Sequence, residues 1–107
     1  MKKENITVVV KRPGKDAEER VIPNTLRAMQ EAVKGYIEVF ALSGSAAIIC
    51  NEEGKLPPPM APNFSYRYEH FVGPVVFVGI DGEEFDDFPG GLAGWRETVA
   101  PQLEVVA

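Results

Sequence analysis

One cysteine, one histidine and one tryptophan in 107 residues set the first limits on this sequence. A lone Cys50 has no internal partner, so no disulfide framework holds the fold. Basic residues are also few, 11 against 16 acidic, for a net charge of −5. That field repels a phosphate backbone, and no cluster of lysine or arginine offsets it locally, so nucleic acid is not expected as a partner. No apolar run approaches the roughly 20 residues that cross a bilayer, and the apolar run after Met1-Lys2-Lys3-Glu4 is too short for a signal peptide. Membrane association is therefore not expected, and the expected location is the cytoplasm. Gly-x-Gly-x-x-Gly and the phosphate-loop pattern are both absent, which sets aside a nucleotide site of standard design. No cofactor is expected, and no internal repeat is visible.

What is present suits a single domain over 1–107. Hydrophobic residues make up 45% and charged residues 25%, close to a globular average and far from disorder. The β-branched run Ile6 to Lys11 predicts a strand, and Arg12-Pro13-Gly14-Lys15-Asp16 predicts the turn that ends it. Glu18 to Ile22 follows as the second arm of a hairpin. Asn24 or Thr25 caps a helix from Leu26 to Lys34, with Leu26, Met29 and Val33 as its apolar stripe and Gly35 as a left-handed terminator. Tyr36 to Leu42 and Ala46 to Asn51 predict an adjacent antiparallel pair around Ser43-Gly44-Ser45.

Residues 52–70 break the pattern. Pro57, Pro58, Pro59 and Pro62 donate no ladder hydrogen bonds, which predicts a long proline-rich and aromatic surface loop. Leu56 and Met60 are its expected anchors. Within it, the two-residue period of Phe64, Tyr66 and Tyr68 predicts that these fold back on the sheet as an irregular strand. Val72 to Ile80 is apolar on both faces, as an interior strand would be, with Pro74 near its start. From 81 to 107 comes an acidic turn and a tail, with a short helix around Leu92 to Val99 halted before Pro101. The expected class is α+β. A mixed or antiparallel sheet of about five strands carries one main helix on one face, in β-β-α-β-β-loop-β order, and a β-grasp-like arrangement fits.

Three segments, Asn24-Thr25-Leu26 through Glu38, Cys50-Asn51-Glu52-Glu53-Gly54-Lys55-Leu56, and Val72-Gly73-Pro74 through Gly79, resemble a family of small uncharacterised bacterial domains found in plasmids, integrative elements and phages. The resemblance covers about residues 5 to 85. It implies an accessory protein of mobile DNA and carries no biochemical activity with it.

Candidate site residues come from positions that depart from the apolar pattern. Gln30 borders the helix stripe, and Glu38 interrupts Tyr36-Ile37-Val39-Phe40. If the helix covers the Ile37/Val39/Ala41 face, Glu38 shares an open acidic and aromatic surface with Tyr36 and Phe40. Asn51 and Lys55 leave a strand into the loop, while Tyr66 and Tyr68 bring aromatic groups of the kind enriched at interfaces. Cys50 with His70 is the one conceivable nucleophile and base, but the neighbouring Glu52 and Glu53 would raise the thiol pKa, so no catalytic residue is assigned. Asp81-Gly82-Glu83-Glu84-Phe85-Asp86-Asp87 packs five carboxylates into seven residues without matching a calcium loop; a basic partner suits it better than a metal. Two functions follow from these features. The first is a non-catalytic protein-interaction module, regulatory or inhibitory, facing a host or element-encoded protein through Phe64, Tyr66, Tyr68 and Phe71. The second is a small-molecule binder that uses the 52–70 loop as a lid over Gln30, Glu38, Asn51 and Lys55.

Overall fold

The computed structural model describes residues 3–106. The class is α+β, with every strand pairing antiparallel. The strands are β1 (Asn5–Lys11), β2 (Glu18–Pro23), β3 (Ile37–Ala41), β4 (Ala46–Asn51), β5 (Pro62–Tyr66), β6 (Glu69–Val72), β7 (Val75–Asp81), β8 (Glu84–Asp86) and β9 (Leu103–Val105); the helices are α1 (Leu26–Val33) and α2 (Gly91–Thr98). The large sheet runs β2-β1-β7-β4-β3, with β8 added to the end of β7. A smaller sheet, β6-β5-β9, is separate from it. The antiparallel pairing is one of the two arrangements expected, whereas the second sheet and the strand order depart from the expected single sheet of about five strands with a β-grasp-like order.

Alternation decides which layer covers which face. Val8, Val10, Ile49, Val76 and Val78 turn to one side, where α1 lays Met29 and Val33 on them, all of them buried. Thr25 caps this helix as predicted, its hydroxyl accepting from the Ala28 amide at 3.1 Å. Leu26 does not join the stripe; it is 59% exposed, and Ala32 packs against the buried cluster beside Met29 and Val33 instead. Lys34, not Gly35, adopts the left-handed conformation at φ 63. Gly35 lacks a side chain for another reason: a Cβ there would lie 2.6 Å from Asn51 Nδ2.

The opposite face is not the open surface expected around Glu38. Phe64, Tyr66 and Phe71 of the small sheet cover it, together with Phe88, Trp95 and Val99 from the C-terminal segment. Residues 52–70 are therefore a loop only as far as Ala61. Beyond it, β5 and β6 form a hairpin whose two turn residues, Arg67 (φ 48) and Tyr68 (φ 66), are both left-handed, the geometry of a type I′ turn. Phe64 and Tyr66 fold back as expected, but the turn carries Tyr68 out of the alternation and into solvent. Leu56 is exposed and anchors nothing. Met60 is the anchor, half-buried, with its amide donating to Gly54 O at 2.8 Å.

The tail is likewise structural. The helix predicted near Leu92 to Val99 is α2, and β9 beyond it pairs with β5. Asn63, fully buried, ties the two sheets together: its Nδ2 donates to Lys11 O (2.8 Å) and Gly73 O (2.9 Å), and its Oδ1 accepts from Lys11 Nζ (3.1 Å).

Candidate functional site

The chemistry gathers where the β3–β4 end of the large sheet meets the β5–β6 hairpin. A cleft of about 320 Å³ opens there. Glu38 and Cys50 face it because they are register partners on the side of the large sheet that turns toward the hairpin. Lys55 enters from the loop, and Glu69 and His70 from β6; the rings of Phe40 and Phe71 meet edge-on beside them, centroids 5.5 Å apart. With Glu52 also on the lining, three carboxylates face one lysine. Lys55 and Glu69 pair at 3.4 Å with both side chains largely exposed, a contact of about 0–1 kcal/mol that a ligand can displace.

Cys50 lies 3.8 Å from Glu38 Oε1. Burial, reinforced by the Glu38 charge, pushes its thiol up to about 11. At neutral pH it is a protonated thiol and a poor nucleophile. His70 shares the cleft, but its Nδ1 bonds Ser65 Oγ at 2.7 Å, and no Cys50–His70 hydrogen bond occurs among the described residues. The fold thus brings together the two groups that the sequence offers as nucleophile and base, in a setting that suppresses the first.

The six candidate residues are distributed as follows. Glu38 and Lys55 line this cleft. Gln30 lines a second one of about 410 Å³ between the end of α1 and the proline-rich loop. Asn51 stands between the two and borders both. Its amide donates to Val33 O (3.0 Å) and Lys34 O (3.1 Å), and its Oδ1 accepts from the Glu53 amide (2.8 Å), so its polar groups close the C-terminus of α1 and shape the loop. Gln30, Glu38, Asn51 and Lys55 accordingly do not converge under one lid. Tyr66 is only 4% exposed and packs against Phe40, whereas Tyr68 is fully exposed at the hairpin turn. Three of the four aromatics expected at an interface, Phe64, Tyr66 and Phe71, are buried. Glu69 enters the cleft without warning from the sequence, because its place depends on the hairpin register.

The acidic turn divides in two. Asp86 and Asp87 each accept from Lys3 Nζ at 2.8 Å, and Asp87 also accepts from the Thr7 amide at 2.7 Å, contacts that lower both carboxyl pKa values. Among the described residues no group of three histidine, cysteine, aspartate or glutamate side chains is arranged to hold a metal ion, and no helix is long and apolar enough to cross a membrane.

These features define an α+β domain of two antiparallel sheets with an acidic cleft at one end. The model of the family described as Domain of unknown function (DUF3846) matches residues 6–99, and the chain belongs to that family. Searches of the curated proteins and of the solved structures found no match.

Proposed function

We propose that this domain is a non-catalytic protein-binding module that takes an extended, basic segment of a partner along the open edge of β3. The observation that carries the reading is an unguarded edge strand lying beside an acidic cleft. The Glu52 amide donates to Tyr36 O (2.8 Å) and the Leu42 amide to Ala46 O (3.0 Å), so even-numbered residues of β3 bond to β4. Ile37, Val39 and Ala41 therefore turn their amide and carbonyl groups outward. An added strand satisfies those groups. Its side chains on the cleft side meet Glu38, Glu52 and Glu69, where lysine or arginine has the complementary charge.

The other edge of the same sheet is guarded. β2 carries Glu18, Glu19 and Arg20 and ends in Pro23, all of which discourage strand addition. Arg12 and Arg20 both bridge Glu18, and Glu19 Oε1 accepts from the Leu92 amide at 2.9 Å, drawing α2 over that edge. The resemblance to domains carried by plasmids, integrative elements and phages makes a cytoplasmic host or element-encoded protein the partner class. The module then acts as a regulator or inhibitor within a mobile genetic element.

Fluorescence anisotropy with a labelled peptide of alternating valine and lysine, beside its valine and glutamate counterpart, tests the reading. The lysine peptide binds saturably and more weakly as salt rises. Val39→Pro, which removes an outward amide without touching the β4 ladder, abolishes binding. Equal binding of the glutamate peptide, or indifference to Val39→Pro, sinks the proposal.

A further inference from the structure

Where the β3–β4 turn meets the C-terminal segment, a crevice of about 280 Å³ opens between the two sheets. Its lining differs in kind from that of the acidic cleft. No carboxylate, ammonium, guanidinium or imidazole group lines it, in a chain that is 25% charged. Leu42, Ala46, Phe88, Pro89 and Val99 form the walls, and the polar side chains among them are all uncharged. Tyr66 enters from β5, its ring edge-on to Phe40 with centroids 6.3 Å apart.

The polar groups of the lining are committed to protein partners, with one exception at the buried end. Ser43 Oγ and Ser45 Oγ pair at 3.4 Å on the exposed rim. Thr98 Oγ1 donates to Gly94 O at 2.7 Å, and Gln102 Nε2 donates to Thr98 O at 2.6 Å. The Tyr66 hydroxyl takes part in no such bond among the described residues, although the residue is only 4% exposed. It is not sealed in either. Trp95 Nε1 is the one fully enclosed side-chain nitrogen or oxygen without a partner among the described residues, so the Tyr66 oxygen keeps accessible surface. Neither the acidic cleft nor the Gln30 cleft has Tyr66 on its lining, and this crevice does. Buried tyrosine hydroxyls usually find a partner, so a phenol left free at the edge of a cavity marks a place for an acceptor.

We infer that this crevice binds a small uncharged molecule that offers a carbonyl oxygen on an apolar body, such as a cyclic amide or a lactone, with the carbonyl accepting from the Tyr66 hydroxyl. A charged ligand would leave water for a lining that holds no counter-charge, at a cost the walls do not repay. A carbonyl accepts one hydrogen bond without bringing a donor that needs an acceptor of its own. The ligand is small because the crevice falls just below the roughly 300–1,000 Å³ usual for ligand pockets. No residue that lines it lines the acidic cleft, so this proposal and the β3 reading can fail separately.

The probes are ε-caprolactam, its ring-matched cation azepane and the open-chain anion hexanoate, each titrated into the full chain at neutral pH and constant ionic strength. Amide NMR spectra follow the binding. Caprolactam shifts the Ala46, Val99 and Gln102 amides saturably, and azepane and hexanoate bind more weakly. Tyr66→Phe keeps the buried ring and removes only the hydroxyl, and it raises the caprolactam Kd about fivefold, the scale of one neutral hydrogen bond. Tyr36→Phe, at an exposed tyrosine outside the crevice, leaves Kd unchanged. The assignment is overturned by no saturable response to caprolactam, by azepane or hexanoate binding at least as tightly, or by a Kd that Tyr66→Phe alters no more than Tyr36→Phe does.

Discussion

The two faces of the large sheet are built on different plans. Under α1 the packing is aliphatic, Val8, Val10, Ile49, Val76 and Val78 against Met29 and Val33. Under the small sheet and α2 it is aromatic: Phe77 meets Phe64 at 5.7 Å, Trp95 at 5.4 Å and Phe88 at 6.4 Å between centroids. The first face is closed by one helix with a regular stripe. The second is assembled from a hairpin, a helix and a terminal strand, each too short to cover it alone. Large rings carried on short elements leave gaps at their margins, and both the Glu38 cleft and the Tyr66 crevice border the aromatic layer. In this molecule the regular face supplies order and the composite face borders two of the openings, while the Gln30 cleft lies at the end of α1.

The most damaging way to probe this contrast is Phe77→Ala, which removes a fully buried ring packed against Phe64, Phe88 and Trp95, at about 3–5 kcal/mol. Met29→Ala on the aliphatic face costs about 2–5 kcal/mol. Both lower one shared urea midpoint if the faces unfold as a unit; two separate transitions would show that they do not. Asn63→Ala is next, at about 1–3 kcal/mol, because it leaves Lys11 O, Gly73 O and the Lys11 ammonium short of partners between the sheets. Proteolysis at Arg67 should accelerate in that variant. An unchanged cutting rate would mean that the aromatic stack holds the small sheet by itself.

Cys50, at the border of the cleft, gives a smaller effect that depends on pH. Its folded-state pKa of about 11 lies above the ordinary value of 9.0, so the unfolded chain loses the proton first. The stability tied to the protonated thiol is complete below about pH 9 and is lost as pH rises toward 11. Urea midpoints at about pH 7.5 and about pH 10.5 should converge in Cys50→Ala; equal pH sensitivity in the variant would place the effect elsewhere. The smallest change carries the opposite sign. Replacing Arg67-Tyr68 by Asn-Gly relieves two left-handed residues and stabilises the hairpin by about 1 kcal/mol, readable as a higher midpoint with no change in slope.

That turn also explains how far the sequence could be read. The aliphatic face was legible because its period survives in the residues: Ile6 to Lys11, the Thr25 cap, and Met29 with Val33 at helical spacing. The β5–β6 hairpin was not, because Arg67-Tyr68 gives no turn signal of the Asn-Gly kind and prolines precede it. Once the hairpin is taken for loop, its register is lost, and with it the place of Glu69 beside Glu38 and of Asn63 beside Lys11. Gln30, Glu38, Asn51 and Lys55 stand out as polar interruptions. Nothing local says that Asn51 closes a helix end or that Gln30 lies in a different cleft. Strand β9 was illegible for a related reason: Leu103–Val105 is three residues long and acquires its conformation from pairing with β5.

The position of β7 has a consequence for how the chain comes together during synthesis. It pairs with β1 on one side and β4 on the other, so the β1–β2 and β3–β4 hairpins do not bond to each other directly. Both are translated well before Val75 to Asp81. Until that segment arrives, the inner edges of β1 and β4 have no ladder partner, and the contacts that finally close the sheet join residues far apart in sequence. Closure of that kind is slow on the folding scale, roughly milliseconds to seconds for chains dominated by non-local pairing. A nascent chain stalled before β7 would present two hydrophobic strand edges at once, and it is this interval that a chaperone would have to cover.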